Sequence, residues 1–129
     1  MTRSLAVTLI LMTAVGVLSL TPDREDPGAS PFVWVVHLTP SLVQKILHVL
    51  LYGALSTAWF SNLRSIASLK ARYFAAFAVS VGYGMLLEWL QTFVPGRFGS
   101  LTDVLLNTIG ALLGLIVARK ALRYTEMRR

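Results

Sequence analysis

The chain has no cysteine. That excludes a disulfide framework, a thiolate nucleophile and a thiolate metal site. Charge is also scarce. Asp, Glu, Lys and Arg make up 14% of the 129 residues, where a soluble domain carries about a quarter. With 55% hydrophobic residues and a mean hydropathy of +0.65, too few charges remain to cover a water-facing surface. Acidic residues are scarcest, and the net charge is +6. In a soluble protein that excess would point to nucleic acid. No basic stripe with interleaved aromatics occurs outside the helix ends, so no nucleic-acid partner is expected. The length allows one domain, residues 1–129, with no internal repeat and no low-complexity tract.

What the chain does have is four long apolar segments: Ser4–Leu20, Leu42–Phe60, Ala71–Val94 and Leu101–Ala118. Each is near the roughly 20 residues that cross a bilayer core at ~1.5 Å per residue. Backbone groups in lipid must be satisfied within the segment, which predicts helices. The expected fold is an all-α membrane protein, a bundle of four transmembrane helices. Breakers lie between the segments. Pro22 and the acidic run after it close the first, and Pro95–Ser100 forms a tight turn before the fourth. Pro31–Pro40, with Trp34 and His37, is too short to span and reads as an interfacial segment.

Loop charges give the expected orientation. Asp23, Glu25 and Asp26 against Arg24 mark the first loop, and Arg97 is the single basic residue of the third. Arg3, then Arg64, Lys70 and Arg72, then Arg119, Lys120, Arg123, Arg128 and Arg129 against Glu126 mark the other side. The positive-inside rule puts both termini and the second loop in the cytoplasm. Arg3 and its apolar run also resemble a signal peptide, but no Ala-x-Ala site follows.

The informative residues are the polar ones at membrane depth, where an ionisable group costs at least ~2.5–3.5 kcal/mol. Lys45, His48, Tyr52 and Ser56 share one face of the second helix. Ser80, Gly84, Glu88 and Gln91 share one face of the third, and Asp103, Asn107, Gly110 and Gly114 one face of the fourth. Counted at ~1.5 Å per residue, Lys45, Gln91 and Asp103 lie ~3–5 Å below the outer boundary, and His48, Glu88 and Asn107 ~9 Å below it. Arg97 caps this set from the short loop. Gly84, Gly110 and Gly114 let the helices approach closely.

Each residue also has a bland explanation. Lys45 can snorkel, Gly110-x-x-x-Gly114 can be packing, Tyr52 and Ser56 can be hydrogen-bonded filler, and Asn107 can be interhelical glue. The convergence of Glu88 and Asp103 on Lys45, His48 and Arg97 favours a functional polar pocket.

These residues resemble the VanZ-like family of bacterial membrane proteins. The likeness rests on Lys45-x-x-His48-x-x-x-Tyr52, then Glu88-x-x-Gln91, Arg97, and Asp103-x-x-x-Asn107-x-x-Gly110-x-x-x-Gly114, over residues 42–118. Family members often have Asp before the lysine and Phe after the histidine, where this chain has Gln44 and Val49. The family's namesake is linked to resistance to the glycopeptide teicoplanin. The resemblance therefore implies a cell-envelope role and a bacterial cytoplasmic (inner) membrane location.

The leading expectation is an extracytoplasmic-side pocket, made by Lys45, His48, Tyr52, Glu88, Gln91, Arg97, Asp103 and Asn107. It would bind the headgroup of a lipid-linked or amphipathic envelope molecule. The alternative is an intramembrane enzyme acting on a lipid-linked phosphate or ester, with His48 as general base and Glu88 or Asp103 orienting or accepting protons. Transport or a structural role is a third reading, and a homodimer would supply the walls that four helices lack for transport. No cofactor is expected. A metal site of His48, Glu88 and Asp103 would lack a second strong nitrogen ligand, so none is predicted.

Overall fold

The computed structural model describes residues 3–23 and 28–128. Arg24, Glu25 and Asp26 of the acidic loop and Arg129 of the basic tail lie outside the described residues, as do the side chains of Arg3, Thr125 and Glu126. Among the described residues all regular secondary structure is helical: α1 Arg3–Leu20, α2 Pro31–His37, α3 Ser41–Asn62, α4 Leu69–Gln91 and α5 Leu101–Met127.

The prolines and serines set the boundaries. Pro31 sits in the first turn of α2, where its missing N–H costs nothing and its fixed φ already suits a helix. Pro40 is extended (φ −57°, ψ 143°) and separates α2 from α3, whose directions differ by 100°. The expected interfacial stretch is thus itself a short helix. Ser68 caps α4 by accepting the Ala71 N–H, and Ser100 caps α5 by accepting the Asp103 N–H at 3.3 Å.

Two helix ends differ from expectation by three residues or more. α4 stops at Gln91 rather than Val94, because Thr92, Phe93 and Val94 donate three residues back instead of four. Pro95 disfavours helical backbone at the residue before it, and the chain then reverses at Gly96 with φ 77°, a conformation that favours glycine. α5 continues past Ala118 to Met127, since Arg, Lys, Ala and Leu are good helix formers and no breaker intervenes. Its 27 residues make a helix of about 40 Å at ~1.5 Å per residue, longer than a hydrocarbon core of about 30 Å. Arg119, Lys120 and Arg123 on the excess length are exposed.

By length and composition, α4 (mean hydropathy 1.3) and residues 101–124 of α5 (1.9) suffice to cross a membrane. α3 reaches that standard only together with α2, and α1 is a shorter apolar helix. The polar stripe is the reason for α3: Gln44, Lys45 and His48 lower the hydropathy of a helix 22 residues long.

α3 and α5 form the most extensive helix pair, and α4 packs on both. Glycine makes the α3–α5 contact. A Cβ on Gly110 would collide with the Val49 backbone, and one on Gly114 with the Gly53 carbonyl. Across this seam Ser56 Oγ donates to the Ala111 carbonyl and Thr57 Oγ1 to the Gly114 carbonyl, both at 2.9 Å. α1 lies against α3 and α4. Tyr83 donates to the Met12 carbonyl at 2.7 Å, and Asn62 Nδ2 donates to Thr8 Oγ1 at 2.7 Å. At the Asn62 end, Arg72 Nε donates to the Phe60 carbonyl at 2.6 Å while the guanidinium lies 3.8 Å from the Phe60 ring centre. The apolar core follows the same helices, with Val15, Tyr52, Leu55 and Leu87 in one cluster and Phe60, Ala76, Leu115 and Ala118 in another.

Candidate functional site: a polar cluster at one end of the bundle

The three predicted stripes face inward over most of their length. Tyr52 and Ser56 of α3 are buried, as are Ser80, Gly84, Glu88 and Gln91 of α4 and Asn107, Gly110 and Gly114 of α5. His48 and Asp103 are half-buried. Lys45 is exposed, and no ion pair joins it to Asp103.

The centre of the site is His48. Its Nδ1 is 2.7 Å from Asn107 Oδ1, and its ring stacks with Tyr52 at 6.3 Å between centroids. Ligand atoms of His48, Glu88 and Asp103 lie within 4.8 Å of one another. The expected meeting of His48, Glu88 and Asn107 therefore forms around His48, and Asp103 joins this deeper layer. Gln91 turns away from Asp103 and donates to the Ser19 carbonyl of α1 at 3.0 Å. The reason is the first turn of α5. Asp103 lies close to the α4 carboxylate because Glu88 is itself the acceptor for the Ser100 N–H at the start of α5 (2.9 Å).

Gly84 gives this layer its room. A Cβ there would come within 2.9 Å of both Asn107 Nδ2 and Tyr52 Cε1. Asn107 is 1% exposed, and its Nδ2 has no hydrogen-bond partner among the described residues.

Arg97 lies above the cluster, as its place in the short turn suggests. Nε donates to the Thr21 carbonyl at 3.0 Å, and Nη1 lies 3.4 Å from Gln44 Oε1 and 3.9 Å from Asp23 Oδ2. Asp23 also meets His37 Nδ1 at 2.8 Å, which ties α2 to the end of α1. Beneath Arg97 is a cavity of about 90 Å³ lined by Gln44, His48, Tyr52 and Gln91 on its polar side. Val15, Leu18, Leu47 and Leu51 line its apolar side.

Sequence reasoning missed several participants. Gln44 and Ser19 carry no signal of their own. Ser100 does: Ser100-x-x-Asp103 before an apolar run is the pattern of a helix start. Gly53 and Thr57 also were legible, because Gly53-x-x-x-Thr57 is a small-residue spacing that matches Gly110-x-x-x-Gly114 on the facing helix.

A family model described as VanZ/LLP1 matches residues 3–123. The chain belongs to the VanZ/LLP1 family. The match includes α1 and α2, well beyond the 42–118 region that carries the motifs. Searches of curated proteins and of solved structures find no match. As a VanZ/LLP1 protein with helices of membrane-spanning length and composition, the chain is a VanZ-like membrane protein.

Proposed function

We propose that this VanZ/LLP1 protein crosses the bacterial cytoplasmic membrane four times with both termini inside, and binds the headgroup of a lipid-linked or amphipathic envelope molecule at the Arg97 end. The observation that carries the reading is the cavity beneath Arg97. It joins one guanidinium, two amides, an imidazole and a phenol to an apolar wall from α1 and α3. Such a divided lining suits a polar headgroup with its chain in lipid. The charge pattern supports the orientation: Arg64, Lys70 and Arg72 share one side of the sequence pattern with the basic end of α5. The link of the family's namesake to teicoplanin resistance supports an envelope ligand and a role in glycopeptide susceptibility.

The test is mass spectrometry of lipids retained by protein purified in mild detergent. Wild type is expected to retain a lipid-linked species that Arg97→Gln loses at equal protein yield. Identical lipid complements in the two would defeat the pocket. Orientation is checked by single cysteines and an impermeant reagent on whole cells. Position 96 should label, and positions 65 and 128 should not; labelling at 128 would remove or invert the last crossing.

The enzyme reading has its own supporting observation, the closeness of His48, Glu88 and Asp103. A base beside two carboxylates suits proton transfer on a lipid-linked phosphate or ester. Turnover of a labelled lipid by the pure protein would favour it over binding alone.

A further inference from the structure

The donors and acceptors around His48 do not balance. In the usual helix start, the N-cap side chain accepts the N–H three residues on, and the acidic residue at that third position accepts the N-cap N–H in return. Here Ser100 Oγ accepts the Asp103 N–H, but Glu88 of α4 has taken the Ser100 N–H. Asp103 is thereby released from its local partner. Both of its carboxylate oxygens, and the second oxygen of Glu88, lack a hydrogen-bond donor among the described residues. Glu88 is only 5% exposed. On the third side, His48 Nδ1 lies 2.7 Å from Asn107 Oδ1; with that amide oxygen as the acceptor, Nδ1 is the donor and Nε2 keeps its lone pair. Possible ligand atoms from three helices thus converge within 4.8 Å, and among the described residues no hydrogen bond joins them to one another.

We propose that His48, Glu88 and Asp103 bind a divalent first-row transition ion of the manganese or zinc kind. One imidazole and two carboxylates suit such an ion, and three protein ligands leave positions for water or a ligand oxygen. The sequence sets this trio aside for its single nitrogen; what the structure adds is that all three groups come together. Bonds of about 2.0–2.2 Å would draw the donor atoms in to roughly 3.3 Å apart, a closure that side-chain rotation supplies. Asn107 takes the outer role common to metal-bound histidines: it fixes the tautomer and the ring plane. Its burial holds it against the imidazole, and its Nδ2 has no hydrogen-bond partner among the described residues. The proposal does not depend on lipid binding.

The test uses full-length protein in mild detergent, stripped with EDTA and titrated with Mn²⁺ alone and with Zn²⁺ alone. Saturable binding of one ion per chain is expected. Asp103→Asn and His48→Gln should each weaken it at least about tenfold, and Asn107→Ala by about 10–100-fold, as for other outer partners of metal ligands. A readout that needs no variant guards against misfolding: pulsed EPR of the Mn²⁺-loaded wild type should carry nitrogen hyperfine coupling from an imidazole. No saturable binding of either ion up to millimolar concentration would overturn the proposal. So would bound Mn²⁺ without nitrogen coupling, or unchanged affinity in a folded Asp103→Asn protein. Identical lipid complements in wild type and Arg97→Gln, with intact metal binding, would sink the headgroup reading and leave this one standing.

Discussion

Two halves of the same helix pair are built in opposite ways. Toward the Asn62 end, α3 and α5 meet through Gly53, Gly110 and Gly114, and each hydroxyl at the seam has a carbonyl to donate to. Toward the Arg97 end, the same two helices present His48, Asp103 and Asn107, joined by Glu88 of α4, and acceptors outnumber donors. The seam is complete in itself. The polar end is not, although a buried ionisable group is the most expensive kind to leave unmatched. A pair of helices that needed only to hold together could have continued the first pattern to its end. On the proposed reading, the polar end carries the function and the seam holds it in register.

The sharpest way to break the comparison is to overfill the seam. Gly114→Val would drive a branched side chain into the Gly53 carbonyl and Ser56 Oγ, where the obstacle is largely backbone. A loss of about 3 kcal/mol or more is expected, read as a collapse in the yield of detergent-stable protein. Normal yield and melting would mean that α3 and α5 do not touch there.

The polar end should respond differently. Glu88→Gln and Asp103→Asn keep size and most hydrogen bonding. If this end serves function, each should abolish lipid retention or the teicoplanin-susceptibility phenotype while the protein still accumulates. If the groups only hold helices together, stranding one partner of a buried pair costs ~3–5 kcal/mol, and abundance should fall along with the phenotype. Replacing both carboxylates by apolar residues of similar volume would then restore abundance. Normal function with both carboxylates neutralised would show that neither serves the function of this end.

The smallest effect sharpens the contrast from the seam side. Thr57→Val removes one hydroxyl from the Gly114 carbonyl with little change of shape. About 0.5–1.5 kcal/mol of stability should be lost, measured as a small fall in melting temperature, with ligand retention unchanged. A functional defect without a stability change would blur the division between the two halves.

Particular residues show how far sequence could go. Gly84, Gly110 and Gly114 were legible as contact points because small residues recur at helical spacing; Gly110 and Gly114 close on the α3 backbone and Gly84 on the Asn107 and Tyr52 side chains. Pro31 and Pro40 bracketed the segment that folds as α2, since proline suits a first turn and interrupts an interior. The polar stripes were legible for the same periodic reason. Depth, however, was not a guide to partners. Counting residues put Asp103 with Lys45 and Gln91, because a count along separate helices contains no information on how they tilt or rotate against one another.

The sequence by itself determined that the chain is helical and apolar, which face of each helix is polar or small, and which loops are acidic and which basic. Those are properties of composition and period, and neither depends on neighbours. Only the tertiary structure decided that Gln91 turns to α1, that Lys45 points out, and that Glu88 takes the Ser100 N–H from Asp103. That last exchange is a competition between a local partner and one 12 residues away for a single donor. Its outcome rests on the packing of α4 against α5, because a hydrogen bond goes to the acceptor that geometry brings within reach.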